Sequence, residues 1–153
     1  MQQVVDNRST LIRATLSLMS GIFLVIGVVF GALAGLFHIV IFTMESVLWT
    51  RPAVFKRFGL KSVDEAATTR SLALNQGFYN LFLAIGTAVG LILLATPSLR
   101  QAGYALAFIS LGSMVAASLV LLISNPKLAR AAATQGVLPL LAVVALAIAA
   151  ASA

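Results

Sequence analysis

The chain has no cysteine, which excludes a disulfide framework, a thiolate nucleophile and a Cys-ligated zinc or iron–sulfur site. It has one histidine and four acidic residues, too few for a metal cage of conventional type, and they form no Ser-His-Asp arrangement. No metal or other cofactor is expected. Charge of either sign is sparse as well: charged residues make up 9% of the 153, where a soluble domain carries roughly a quarter. That excludes a water-soluble globule. What fills the sequence instead is apolar, 61% of all residues, so that side chains must face lipid as well as one another. Ten Lys and Arg against four Asp and Glu give a net charge of +6. In such a chain the excess records membrane topology, and with no basic helix or aromatic platform beside it nucleic acid is not an expected partner.

The charged residues divide the chain into four uncharged runs, 14–44, 71–99, 101–126 and 131–153. Each exceeds the roughly 20 residues that cross a bilayer core as helix. The expected fold is therefore all-α, a polytopic membrane protein of one domain, 1–153, with four transmembrane helices at about 16–49, 63–95, 97–124 and 126–152 in an antiparallel up-down bundle. Arg8 and Arg13 before an apolar stretch ending in Ala32-Leu33-Ala34 also suit a secretory signal with an A-x-A site. The apolar run continues past that site, and cleavage would leave a remnant too short to span, so an uncleaved first helix is expected.

Local punctuation supports these limits. Thr50-Arg51-Pro52 ends helix 1, and residues 53–58 follow as a short amphipathic turn whose Phe55 and Phe58 suit the headgroup region. Gly59 suits the C-cap of that turn, and Ser62-Val63-Asp64-Glu65 is a capping box that opens helix 2. Thr96-Pro97 and Asn125-Pro126 start helices 3 and 4. Seven basic residues (Arg51, Lys56, Arg57, Lys61, Arg70, Lys127, Arg130) fall at one end of the bundle and three (Arg8, Arg13, Arg100) at the other. The positive-inside rule puts loops 50–62 and 124–130 in the cytoplasm of a bacterial inner membrane, with both termini outside. The lipid bilayer is the one partner the composition demands.

Within the spans, few side chains carry chemistry. On helix 1, Gly27, Gly31 and Gly35 form two overlapping G-x-x-x-G steps, and the stripe continues through His38, Phe42, Glu45 and Trp49. Glycines of this spacing first of all serve helix packing, and Trp49 suits an interface anchor. Glu45 is the only acid inside a span, and an intramembrane carboxylate is a candidate proton or cation site by default. It equally suits an interfacial glutamate paired for packing alone. His38 lies two turns away, about 10 Å, within reach of Glu45 only through water or the helix 2 amides, and it equally suits a satisfied core histidine.

Helix 2 holds the densest polar cluster, Asn75-Gln76-Gly77-Phe78-Tyr79-Asn80, in which Asn75 pairs with Tyr79 and Gln76 with Asn80 at one-turn spacing. Facing lipid these groups would be costly, so all four are expected to point into the bundle, as pocket lining or as interhelical glue. Gly86 and Gly90 follow on much the same face. On helix 4, Pro139 removes a backbone bond to the carbonyl of Gln135, placing a freed carbonyl and an amide at a kink beside Gly136. Ser110, Ser113 and Ser118 could add hydroxyls from helix 3, or bond to their own helix.

These residues bring a family into view. His38 with Glu45, Leu48-Trp49-Thr50, Phe58-Gly59-Leu60, the 75–80 block and Gln135-Gly136 with Pro139 resemble, in order and spacing, the small bacterial membrane proteins of domain-of-unknown-function family thirteen-oh-four. The resemblance covers about residues 20–150, leaving the first dozen or so as an extension. It implies a four-helix membrane fold and points to the same residues, but carries no settled activity.

Three functions fit this reading. The first is a small transporter or channel-like protein, a homo-oligomer if four short spans enclose too little volume, with Glu45 and His38 as the protonatable site and Asn75, Gln76, Tyr79, Asn80 and Gln135 lining the pocket. The second is a noncatalytic subunit of a larger membrane complex, docked through the glycine stripe. The third is a membrane-embedded enzyme acting on a lipid-like substrate, with His38 and Glu45 as acid and base.

Overall fold

The computed structural model describes residues 2–152. Met1 and Ala153, the two ends of the expected single domain, lie outside the described residues. Among those described, all regular structure is helical: α1 (Gln2–Phe42) continued by a π-turn (Thr43–Val47), α2 (Pro52–Phe55), α3 (Val63–Thr68), α4 (Arg70–Leu94), α5 (Arg100–Ser124) and α6 (Ala129–Ala151), with single 3-10 turns at Lys56–Phe58, Pro97–Leu99 and Pro126–Leu128. Four segments are long and apolar enough to cross a membrane: Thr10–Val47, Arg70–Leu94, Pro97–Ser124 and Pro126–Ala151. This is an all-α polytopic membrane protein.

The four long helices form a square. α1 packs on α4 and α6, α5 packs on the same two, and α1 and α5 scarcely touch across the diagonal. Short connections leave no other choice for α4 with α5 and for α5 with α6. Helix ends differ from the sequence expectation in two places. α1 begins at residue 2 rather than near 16, because nothing between Gln2 and Gly21 breaks a helix. Expected helix 2 is two pieces, since α3 ends at Thr68 with Thr69 as its C-cap, whose hydroxyl bonds back to the Glu65 carbonyl at 2.8 Å, and α4 restarts at Arg70.

The capping box is shifted by one residue. Ser62 Oγ accepts from the Glu65 amide at 3.1 Å, but Glu65 Oε2 accepts from the amide of Lys61 at 2.7 Å, not from that of Ser62. Gly59 sits at φ 85°, a left-handed C-cap for the preceding 3-10 turn.

Small residues decide where the helices meet. A Cβ on Gly27 would lie 2.7 Å from Leu146 of α6, and one on Gly31 would lie 3.3 Å from Leu91 of α4; Gly35 faces Ala84 and Thr87 of α4. A Cβ on Gly90 would meet the Ala107 amide of α5 at 2.7 Å, and Gly86 faces Ser110. The apolar core lies in this same half of the bundle, built on Ala34, Leu94, Ala107, Leu111, Met114, Ala142 and Leu146. In the other half, at the end rich in basic residues, Gly77 of α4 closes on Phe42, Glu45 and Ser46 of α1, and Gly136 of α6 closes on Ser118 of α5. Close glycine contacts there join α1 to α4 and α5 to α6. Those linking the two pairs, α1 with α6 and α4 with α5, lie in the core half.

Candidate functional site

The arrangement leaves a cavity between the two helix pairs at the basic end, about 690 Å³ in volume. All four long helices line it, α1 through Phe37, His38, Ile41, Met44 and Glu45, and α4 through Gln76, Tyr79, Asn80 and Leu83. α5 and α6 complete the wall, the latter with Thr134 and Gln135. The cavity reaches from His38 up to Arg57, Phe58 and Leu128 at the end of the bundle. One turn further in, Ala34 and Met114 begin the filled core.

Glu45 owes its position to the π-turn. Leu48 bonds to the Thr43 carbonyl five residues back at 3.0 Å, and the extra residue in that turn rotates the side chains that follow relative to an unbroken α-helix. Ser46 Oγ donates to the Leu74 carbonyl at 3.2 Å, tying the turn to α4. Gly77 makes this approach possible, since a Cβ there would sit 3.1 Å from that of Glu45. Glu45 is 8% exposed, and its Oε2 accepts from Asn80 Nδ2 at 2.8 Å. The same amide donates to the Gln76 carbonyl at 3.2 Å, so both acceptors fix its orientation. Among the described residues Glu45 has no cationic partner.

His38, 2% exposed, bonds through Nδ1 to the Ala34 carbonyl one turn back at 2.9 Å. A carbonyl oxygen can only accept, so Nδ1 carries the hydrogen and Nε2 of the neutral ring is an acceptor. No direct bond joins His38 to Glu45; they occupy two depths of one cavity.

The structure separates the helix 2 cluster rather than turning all of it inward. Asn80 is buried; Gln76 and Tyr79 line the cavity but stay open, Tyr79 at 54% exposure. Asn75 is exposed and does not line the cavity, although Gln76 beside it and Tyr79 one turn on both do. The expected Asn75–Tyr79 pair does not form, and Asn80 bonds the backbone of Gln76 instead of its side chain. On α5, Ser113 and Ser118 bond to the carbonyls of Ile109 and Val115 of their own helix. On α6 the helix runs unbroken through buried Pro139, with Gln135 on the cavity wall one turn earlier.

Besides the apolar wall, the sequence reading of the pocket missed Arg57 and Phe58 at the mouth, Thr134 on the wall, and Gly77 beneath Glu45. Phe58 was legible only as a headgroup contact; Trp49 explains its inward position, since its ring packs 4.9 Å from that of Phe58 while its Nε1 donates to Thr69 Oγ1 at 3.2 Å. Gly77 had a signal, being the one small residue within the polar block. Among the described residues, no three His, Asp or Glu side chains gather to hold a metal.

Residues 32–147 match the family described as Protein of unknown function (DUF1304). The chain belongs to this family. The DUF1304 match takes in every cavity-lining residue named above, and residues 2–31 of α1 precede it. Neither the curated proteins nor the solved structures give this DUF1304 chain a match.

Proposed function

We propose that this protein binds a small solute in the cavity between the helix pairs and moves it across the membrane, taking it up at the basic end. The observation that carries the reading is the cavity itself: a space of about 690 Å³ walled by all four long helices, holding a buried carboxylate and a buried imidazole without an ion pair. Pockets of this size suit small ligands, and a polar intramembrane group is costly enough to need a use. Under the positive-inside rule the seven-cation end, with loops 50–62 and 124–130, faces the cytoplasm of a bacterial inner membrane, and both termini lie outside.

A route onward is supplied by the packing. The core that closes the cavity below His38 lies where α1 meets α6 and α4 meets α5, so parting the pairs there while closing them at the basic end would expose the site to the other side. Two or more copies side by side are an alternative way to complete the path. The accessory-subunit reading loses its main support, because Gly27, Gly31 and Gly35 are covered by α4 and α6 and offer no free docking stripe. The enzyme reading needs His38 and Glu45 on one reacting atom, and the two have no contact.

The reading is tested in proteoliposomes incubated with a panel of radiolabelled metabolites in the outer medium. Wild-type protein is expected to give uptake that Glu45→Gln reduces by at least about tenfold, the factor for losing one charge-assisted bond. Uptake equal to that of empty liposomes across the panel would sink it.

A further inference from the structure

The cavity presents acceptors and almost no charge to match them. Oε2 of Glu45 is occupied by Asn80, which leaves Oε1; Nδ1 of His38 is occupied by Ala34, which leaves Nε2. Neither remaining atom has a protein partner among the described residues, and neither is sealed from the cavity, since Thr87 Oγ1 is the only described side-chain atom that is both buried and unbonded. Glu45 is thus a buried acid with one neutral donor and no counter-charge, and its ionised form is costly there unless a cation joins it. The only cationic side chain on the wall is Arg57, which is exposed and sits at the mouth.

The rest of the wall defines the body of the ligand. Ile41, Met44, Leu83, Val120 and Leu121 are apolar, Phe37 and Tyr79 add aromatic surface, and Gln76, Thr134 and Gln135 add neutral polar groups. From this geometry we infer that the cavity takes a primary ammonium compound with a compact apolar body, the ammonium donating to Glu45 Oε1 and the body lying against the aliphatic wall. An anion would meet the carboxylate without compensation. A neutral alcohol could supply one hydrogen but no charge. A quaternary ammonium has charge but no N–H to give the carboxylate.

This inference rests on the cavity being a solute site, as proposed above, but not on transport, and binding alone tests it. The probes are benzylammonium, benzyl alcohol, phenylacetate and benzyltrimethylammonium, titrated calorimetrically into the full chain in lipid nanodiscs, with empty nanodiscs subtracted. Benzylammonium is expected to bind at least about tenfold more tightly than the other three, the factor for one hydrogen bond to a charged group. Glu45→Gln is expected to erase that preference. Equal binding of all four, preference for phenylacetate, a preference that survives Glu45→Gln, or no binding by any probe would each overturn the inference. If Glu45→Gln fails to fold by circular dichroism and gel filtration, the primary against quaternary comparison on the wild-type protein decides alone. Ammonium binding without uptake in proteoliposomes would overturn the transport reading and leave this one standing; uptake without ammonium preference would do the reverse.

Discussion

At the scale of single residues, Asn80 holds the site together. Its side-chain amide donates to both the Glu45 carboxylate and the Gln76 carbonyl, and since that carbonyl keeps its helical backbone donor, Asn80→Ala leaves the buried Glu45 oxygen as the acceptor short of a donor. The expected cost is about 1–3 kcal/mol, read as a lower thermal midpoint of the purified protein in detergent. Glu45→Gln should cost less, because its carbonyl oxygen still accepts from Asn80. A midpoint for Asn80→Ala equal to wild type would show that the bond contributes nothing in the folded protein. Trp49 offers a second handle, being the only tryptophan in the chain. Because its ring packs against Phe58 at the cavity mouth, Phe58→Ala is expected to shift its emission to the red by admitting water or headgroups; an unchanged spectrum would mean that the two rings do not pack in the membrane.

Among the helices, glycines mark where backbones come close, and the cost of filling them is testable because not every glycine is used. A Cβ at Gly90 would run into the backbone of Ala107, whereas one at Gly112 meets nothing within 4 Å. Gly90→Ala is therefore expected to lose about 1–3 kcal/mol through overpacking, and Gly112→Ala to be neutral or to gain up to about 1 kcal/mol from helix propensity. Parallel thermal unfolding of the two variants checks the sign. Equal destabilisation would mean that α4 and α5 do not approach at Gly90. The stripe Gly27, Gly31, Gly35 was readable from sequence as a packing face, but its partners were not: G-x-x-x-G spacing states that a backbone comes close and leaves open which one. α4 and α6 both do.

At the scale of the whole molecule, the charge count and the antiparallel order fix which connections share an end, and only the side of the membrane is left to experiment. With no native cysteine, single-cysteine variants report cleanly. A membrane-impermeant maleimide applied to intact spheroplasts is expected to label Gln101→Cys and to spare Lys127→Cys until the membrane is opened. The opposite pattern would invert the topology and move the cavity mouth to the outer face. The unequal distribution of close contacts belongs to this scale too, since cross-pair contacts in one half and a cavity in the other emerge only when four helices are assembled.

The sequence by itself determined that this protein lives in lipid, that it crosses four times, and that its few ionisable and amide side chains gather toward one end, because bilayer thickness and the cost of burying charge act on composition and spacing directly. It also pointed to His38, Glu45, Asn80 and Gln135, since an isolated polar group in an apolar run is visible without coordinates. Tertiary structure decided which of these share a cavity. Asn75 is one residue from Gln76 yet lies outside it, Arg57 and Phe58 enter from a loop, and Glu45 is set by a π-turn that no residue pattern announces. The physical reason is that a helix fixes angles along its own axis from its sequence, whereas its rotation against three neighbours is a balance among small-residue contacts on all of them at once.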